Sequence, residues 1–478
     1  MLSPRLITTL LLTFIPSALI AAEETRSTLQ DQQSVAVTIY NENLALVKDQ
    51  RRITLNSGQN QLAFRDVSAL IRPETALLRS ISNAGGLSLI EQNFDFDLLT
   101  PQKLLEKYVG KKVNVIHTNT ATGIETTEEA QVLSANNGVV LKIGDRIETG
   151  IPGRIVYPDV PANLRDRPTL VMSLNNNAST QQEVELSYLT GGLGWKADYV
   201  AELNASDSKL DLSGWVTLTN TSGATYQNAK LQLVAGDVNR VREEMQPVRA
   251  MAKMDMVMAA EAPRMAEESL LEYHLYTLDR PTTIAENQTK QVALLSASNV
   301  PVRKELVLHG ADYYYQSSYG DLGQKMKVGV FVEFDNKESS HLGLPLPKGS
   351  IRVYKKDAAG NAQFVGEDRI DHTPKNETVR LKLGDAFDVT ADKKQSDFKK
   401  LPNPAKGNAA FESAYEIVLK NAKKEAVTVT VQEPIPADWK MLKSSHPHEK
   451  VASNVAQWKI VVPTEGKVTL SYRVQVKY

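Results

Sequence analysis

The chain contains no cysteine. That excludes disulfides, thiolate metal sites, cysteine nucleophiles and a lipid carried on an N-terminal cysteine, so stability has to come from packed cores. Aromatic residues are sparse at 6%, and the seven histidines include no H-E-x-x-H pair. No G-x-S-x-G is present, so the usual serine-hydrolase elbow is missing. Formal net charge is only −1, so no global field favours nucleic acid or an anionic membrane. Beyond the first 22 residues no apolar run approaches the ~20 residues a spanning helix needs, and no transmembrane span is expected after removal of that segment.

Residues 1–22 form a class of their own. Arg5 is their one charge, Leu6–Ile15 is an apolar run, Pro16 interrupts it, and Ala21-Ala22 precedes Glu23-Glu24. A positive start, a short apolar centre and a small-residue exit are the layout of a secretory signal peptide. The reading predicts cleavage near Ala22 and a periplasmic or secreted product.

What the rest does have is alternation. From Val468 to Val476, Val468, Leu470, Tyr472, Val474 and Val476 fall on one face, and Thr469, Ser471, Arg473 and Gln475 on the other. A period of two marks a strand with one buried and one wet face. The pattern recurs along the chain and predicts an all-β, multi-domain protein of β-sandwich (Ig-like) type. The expected order is a polar leader over 23–34 within an N-terminal β-region (23–110), then a small SH3-like or Sm-like barrel (111–160). A central sandwich region (161–400) and a C-terminal sandwich-like module (408–478) follow. Thr100-Pro101 predicts the start of a short helix, Thr as N-cap and Pro at the first helical position. Asn137-Gly138 predicts a hairpin inside the barrel.

Two stretches break the alternation. Residues 241–268 hold six of the ten methionines and no aromatic, which predicts an inserted disordered loop. Asp392–Gly407 is rich in lysine and aspartate, which predicts a linker or a long exposed hairpin.

Five constellations bear on function. Tyr313-Tyr314-Tyr315 with Tyr319, flanked by Gly310 and Gly320, cannot all face one core from a strand; at least one ring should be exposed, as interface tyrosines are. These four are the candidate binding residues, for a protein or glycan contact; the alternative is a strand buried on both faces. Met251, Met254, Met256 and Met258 carry soft thioethers suited to Cu(I), an alternative metal-binding reading. His446-Pro447-His448-Glu449 sets two imidazoles beside a carboxylate, more often a solvated loop than a metal site. Asp95 and Asp97 share a strand face, and paired acids can do glycosidase work, but nothing places a substrate between them. Gly192-Leu193-Gly194-Trp195-Lys196-Ala197 matches G-x-G-x-x-A, yet alternation after it predicts a strand where a nucleotide site needs a helix. It reads as a glycine turn with Trp195 as a core anchor. No catalytic residue and no cofactor is assigned.

The wording from Thr190-Gly191-Gly192-Leu193-Gly194-Trp195 through Leu212-Ser213-Gly214-Trp215-Val216-Thr217 to Leu231-Gln232-Leu233-Val234-Ala235-Gly236 resembles the DUF4139 family of bacterial exported proteins. Glu433-Pro434-Ile435-Pro436-Ala437-Asp438-Trp439 and Ser444-Ser445-His446-Pro447 are similar too. The resemblance implies a β-rich envelope protein. It carries over no activity and no functional residues, because the family is one of unknown function; some relatives carry a coiled-coil region that this chain lacks. The leading expectation is a non-enzymatic exported protein that binds or scaffolds an envelope protein or glycan. The alternatives are copper handling by the methionine loop and a hydrolase with a dispersed site.

Overall fold

The computed structural model describes residues 24–41, 43–161, 164–236, 238–239, 265–402 and 409–478. Residues 1–22, where a signal peptide is expected, and Met251, Met254, Met256 and Met258 lie outside these. Among the described residues there are thirty strands and one α-helix, so the molecule is all-β. The single helix, Pro101–Lys107, starts as its sequence demands: Thr100 Oγ1 accepts a hydrogen bond from the Lys103 backbone N–H, one of the donors a helix start leaves unpaired.

Apolar side chains gather into three cores. The first runs from Val35 to Leu381, the second from Leu306 to Val476, and the third, small, from Leu105 to Ile143. This partition crosses the expected domain boundaries. Gln32–Tyr40 pairs in parallel with Tyr226–Ala235, and Gly58–Arg65 pairs with Thr169–Asn176, so the first 110 residues are not a separate region. Their strands complete the sheets of the central one. The polar leader is structured as well. Glu24–Ser27 adds in parallel to Gln61–Phe64, and Thr28 caps the 3-10 turn Leu29–Asp31.

Two linked units follow from three long strands: Gln288–His309, Asp321–Asp335 and Thr378–Leu401. Each enters both large cores. Val300 and Val302 face the first and Leu306 and Leu308 the second; Leu381 faces the first and Ala391 the second. Thr378–Leu401 runs through most of the charged stretch that begins at Asp392, and Leu401 pairs with Ala410 of the returning strand Ala410–Asn421. The stretch is therefore a long hairpin, not a linker. The C-terminal unit accordingly begins near Leu306 instead of residue 408.

The small third core lies in a five-stranded antiparallel sheet: Arg146–Thr149, Val140–Ile143, Glu125–Ser134, Lys112–Thr118 and Arg154–Val156, in that spatial order. No pairing of the two outer strands closes it. The expected SH3-like or Sm-like barrel is thus an open sheet backed by the helix, with Leu105 and Tyr108 in its core. Asn137 and Gly138 both take positive φ in its hairpin, as the Asn-Gly pair requires.

The methionine-rich stretch ends differently from a loop. Met265 is buried in the first core, and Ala266–Leu270 is a strand paired with Tyr273–Thr277. Trp195 is buried in the same core. Gly192, at φ +78°, precedes the strand Leu193–Leu203, and a Cβ there would stand 2.5 Å from Ser222 Cα. The glycine serves a tight turn into a strand, with no helix to hold a pyrophosphate.

Candidate functional site

The four tyrosines lie in the C-terminal unit, and they are not on a strand. Asp312–Tyr315 is a 3-10 turn between two long strands. With about three residues per turn, neighbouring side chains point in different directions. Tyr314 and Tyr315 are buried, whereas Tyr313 is 50% and Tyr319 36% exposed. The two buried rings anchor the turn and the two exposed rings stand on it. Tyr313 packs edge-on against Tyr314 at 4.7 Å between centroids, and against Tyr319 at 5.9 Å. Edge-to-face contact is a preferred aromatic geometry and restricts both exposed rings.

Beneath them lies a feature that the sequence conceals. Lys393, from the long strand Thr378–Leu401, and Glu433, from Val427–Pro434, are both buried and meet in the core. Lys393 Nζ donates to Glu433 Oε1 at 2.7 Å and to Oε2 at 2.6 Å. The Tyr315 hydroxyl donates to Glu433 Oε2 at 2.8 Å and lies 2.9 Å from the Tyr472 hydroxyl. The ammonium also stands 4.2 Å from the Tyr314 ring centroid and 5.2 Å from that of Tyr415. Ring faces attract a cation, most strongly where water is excluded. Tyr415, Tyr472 and Trp458 continue the stack, at 5.1 and 4.9 Å.

The cage shifts its own protons. Burial pulls the Lys393 ammonium below the ordinary lysine value, and the adjacent Glu433 carboxylate resists that pull. Burial pushes the Tyr315 and Tyr472 phenols well up, with the Glu433 charge adding to it. Tyr314 and Tyr415 are each raised to about 12, first by burial. A buried lysine and four reluctant phenols could resemble a proton-transfer site. Here every partner is already engaged and the group is sealed, so its evident work is to hold the turn.

Gln395 completes the clamp. Its Nε2 donates to the Ser317 carbonyl at 3.1 Å and to the Tyr415 hydroxyl at 3.2 Å, while its Oε1 accepts the Tyr319 backbone N–H at 2.6 Å. The Tyr415 hydroxyl donates to the Tyr314 carbonyl at 2.6 Å. Gly310 is required by closeness: a Cβ there would lie 2.2 Å from Glu433 Oε2. The Gly310 end of the segment is thus packed against the carboxylate of the ion pair, and the Tyr319 end is held by Gln395.

Sequence reasoning found the tyrosines and missed Lys393, Glu433 and Gln395. A signal was present. Val389, Ala391, Lys393 and Gln395 alternate inward, as do Val429, Val431, Glu433 and Ile435. Carrying the period of two through the charged stretch places both charges on core faces.

The other candidates are dispersed. Asp95 pairs with Arg165 at 2.8 Å, and Asp97 with Lys107 at 2.8 Å, so the two carboxylates serve different cations. His446 Nδ1 lies 2.8 Å from Ser445 Oγ, and the His448 ring packs 6.0 Å from Trp458. Among the described residues no group of three or more histidines and carboxylates gathers around a possible metal position. A surface cleft of about 230 Å³ is lined by Asp207, Lys304 and Lys355, and both lysines pair with Asp207, at 2.7 and 2.5 Å. None of the described helices is long and apolar enough to cross a membrane.

No curated protein matches the chain. Residues 184–478 match the family profile described as Domain of unknown function (DUF4139). That span contains the tyrosine turn, the Lys393–Glu433 pair and every strand that holds them. By that match, which covers more than half of its length, the chain belongs to the DUF4139 family.

Proposed function

We propose that this is a non-enzymatic binding protein of the cell envelope, exported by its N-terminal segment, that engages a protein or glycan partner through Tyr313 and Tyr319. One observation carries the reading. Two exposed aromatic rings stand on a turn that a buried ion pair, four phenols and a glutamine hold in place. Ordering flexible side chains at the moment of binding costs affinity, and rings fixed beforehand avoid much of that cost. Tyrosine joins a large apolar face to a hydroxyl and is enriched where partners meet.

The test is a crosslinking capture from native envelope extract, with the purified mature chain as bait. The Tyr313→Ala/Tyr319→Ala double variant serves as the comparison. The expected result is a defined species that the wild type retains and the variant loses. Equal retention by both removes the tyrosine pair as the contact. Export is checked separately by fractionating cells and sequencing the mature N-terminus; a chain that keeps residues 1–22 in the cytosol would overturn that part.

A further inference from the structure

The long strands carry a lysine on their inward face. On Gln288–His309 that face reads Val302, Lys304 and Leu306, with Val302 in the first core and Leu306 in the second. The residues opposite them, Phe334, Val332 and Val330, share the face. Lys304 therefore points inward where one core gives way to the other, and the cleft of about 230 Å³ opens there. The lining of this cleft is otherwise largely aliphatic. Val330, Val332 and Leu383 come from the long strands, Leu203 from the end of Leu193–Leu203, and Val365 from Ala362–Ile370. Leu203 and Val332 are buried, whereas Val365 is 39% exposed and lies at the open side.

Charge around the cleft is unbalanced. Asp207, in the turn between Leu193–Leu203 and Lys209–Asn220, accepts from Lys304 Nζ at 2.7 Å and from Lys355 Nζ at 2.5 Å. Asp385, also on the cleft, lies 3.4 Å from Lys327; Lys382, opposite Phe331 on the outer face, lies 3.9 Å from it. Four ammoniums thus surround two carboxylates. Arg303, Glu305 and Glu333 alternate onto the outer face, and Glu202, which alternates away from Leu203, pairs with Lys356 at 2.7 Å. An ammonium has three donors. Among the described residues Asp207 is the one acceptor that Lys304 and Lys355 each find, so both keep donors in reserve. One carboxylate has drawn two cations together and left a positive charge over. A second carboxylate can take one donor from each of them in charge-assisted bonds.

No aromatic ring lines the cleft, so nothing there stacks a base or a sugar. A metal cation would be repelled by the surplus of ammoniums. The complementary molecule has one anionic group and an aliphatic remainder. A dry cavity of about 150 Å³ admits benzene, so about 230 Å³ has room for an unbranched chain of about eight carbons.

We propose that the cleft binds a medium-length aliphatic carboxylate, its head between Lys304 and Lys355 and its chain over Val330, Val332 and Leu383. No residue of the cleft belongs to the tyrosine turn, so this site stands or falls apart from the binding role proposed above. The experiment titrates the purified full chain calorimetrically with butanoate, hexanoate and octanoate, and with octylammonium as the charge-reversed probe. Octanoate should bind saturably, with affinity rising up to about fourfold per methylene along the series, the worth of one buried CH₂. Octylammonium should not bind. Lys304→Gln and Lys355→Gln should each weaken octanoate about tenfold or more. Val365→Asp sets a carboxylate at the exposed side of the cleft, where the fold can bear it, and should weaken octanoate as well. Lys394→Gln, at an exposed lysine paired with Glu416 in the C-terminal unit, should change nothing. Thermal melts of each variant confirm that the fold persists. No saturable octanoate binding, equal binding of octylammonium, or affinity indifferent to Val365→Asp or to both glutamine variants overturns the assignment.

Discussion

Each large core contains one fully buried cation, and the two are held in different ways. In the first core, Arg51 donates to Asp49 at 2.8 Å, to the Arg65 carbonyl at 2.8 Å and to the Ser27 carbonyl at 3.0 Å; its guanidinium carbon lies 3.7 Å from the Phe64 ring centroid. Its fixed fork of donors ties the strand Leu44–Thr54 to the backbones of Glu24–Ser27 and Gly58–Arg65, which belong to another sheet. In the second core, Lys393 binds one carboxylate and two ring faces, and through them the tyrosine turn. One cation fastens backbone to backbone in the scaffold. The other fastens side chains that carry protons, directly beneath the exposed rings. Buried ion pairs add little net stability over apolar packing but are costly to break on one side. In each core the pair is better understood as specifying which strands meet.

The strongest way to break the comparison is to remove one carboxylate from each pair. Glu433→Ala and Asp49→Ala should each cost about 3–5 kcal/mol at neutral pH, read from denaturant unfolding. Their pH dependence should then diverge. Burial already holds Lys393 below its ordinary value, and loss of Glu433 removes the charge that opposed the shift. Between the folded and unfolded values the unfolded chain binds more protons, so stability rises with pH. The Glu433→Ala deficit should therefore shrink from pH 7 toward 10. An arginine cannot shed its proton in this range, so the Asp49→Ala deficit should stay flat. Above about pH 10 unfolded phenols ionise. The raised Tyr315 and Tyr472 stay protonated in the native state, which reverses the sign, so the titration stops short of that point. Parallel pH profiles for the two variants would remove the distinction between the cations.

An apolar replacement sharpens it further. Lys393→Met/Glu433→Leu should recover most of what either single loss costs, because no buried charge is left alone. The Tyr315 hydroxyl keeps Tyr472 as a partner. The variant should melt near the wild type, while the tyrosine turn loses its anchor and partner binding weakens. A fully retained affinity would show that the turn needs no ion pair. Gly310→Ala attacks the same anchor from the backbone. Its Cβ must displace the Glu433 carboxylate, an overpacking of about 1–3 kcal/mol, measured by the same unfolding curves.

The comparison also explains what could be read ahead of the structure. Val468–Val476 was legible because each buried side chain has a polar neighbour, and the strand Gly466–Lys477 contains all of it. Thr100-Pro101 was legible because a cap acts within four residues. Arg51 and Lys393 were not legible. Each lies in a charged run that resembles solvated surface; Lys393 is stabilised by Glu433, 40 residues on, and Arg51, beside its partner Asp49, is buried by the backbones of Ser27 and Arg65, 24 and 14 residues away. The pairing of Gln32–Tyr40 with Tyr226–Ala235 failed for the same reason, since alternation fixes a face and says nothing of which strand is adjacent. The tyrosine run was legible as chemistry but not as a turn, because strand period was carried into a segment with three residues per turn.

The smallest expected effect is the most discriminating for function. Tyr313 is half exposed and makes ring-edge contacts with Tyr314 and Tyr319, so Tyr313→Ala should move stability by no more than about 0.5 kcal/mol. Tyr315→Phe, at a fully buried ring, removes a hydroxyl that donates to a buried carboxylate and should cost about 1.5–3 kcal/mol. If partner affinity follows the first variant and stability the second, the exposed ring recognises the partner and the buried one builds the platform. If Tyr313→Ala costs as much stability as Tyr315→Phe, the outer ring is part of the core's closure. The fixed cation beneath it would then serve folding alone, as Arg51 does in the other half of the molecule.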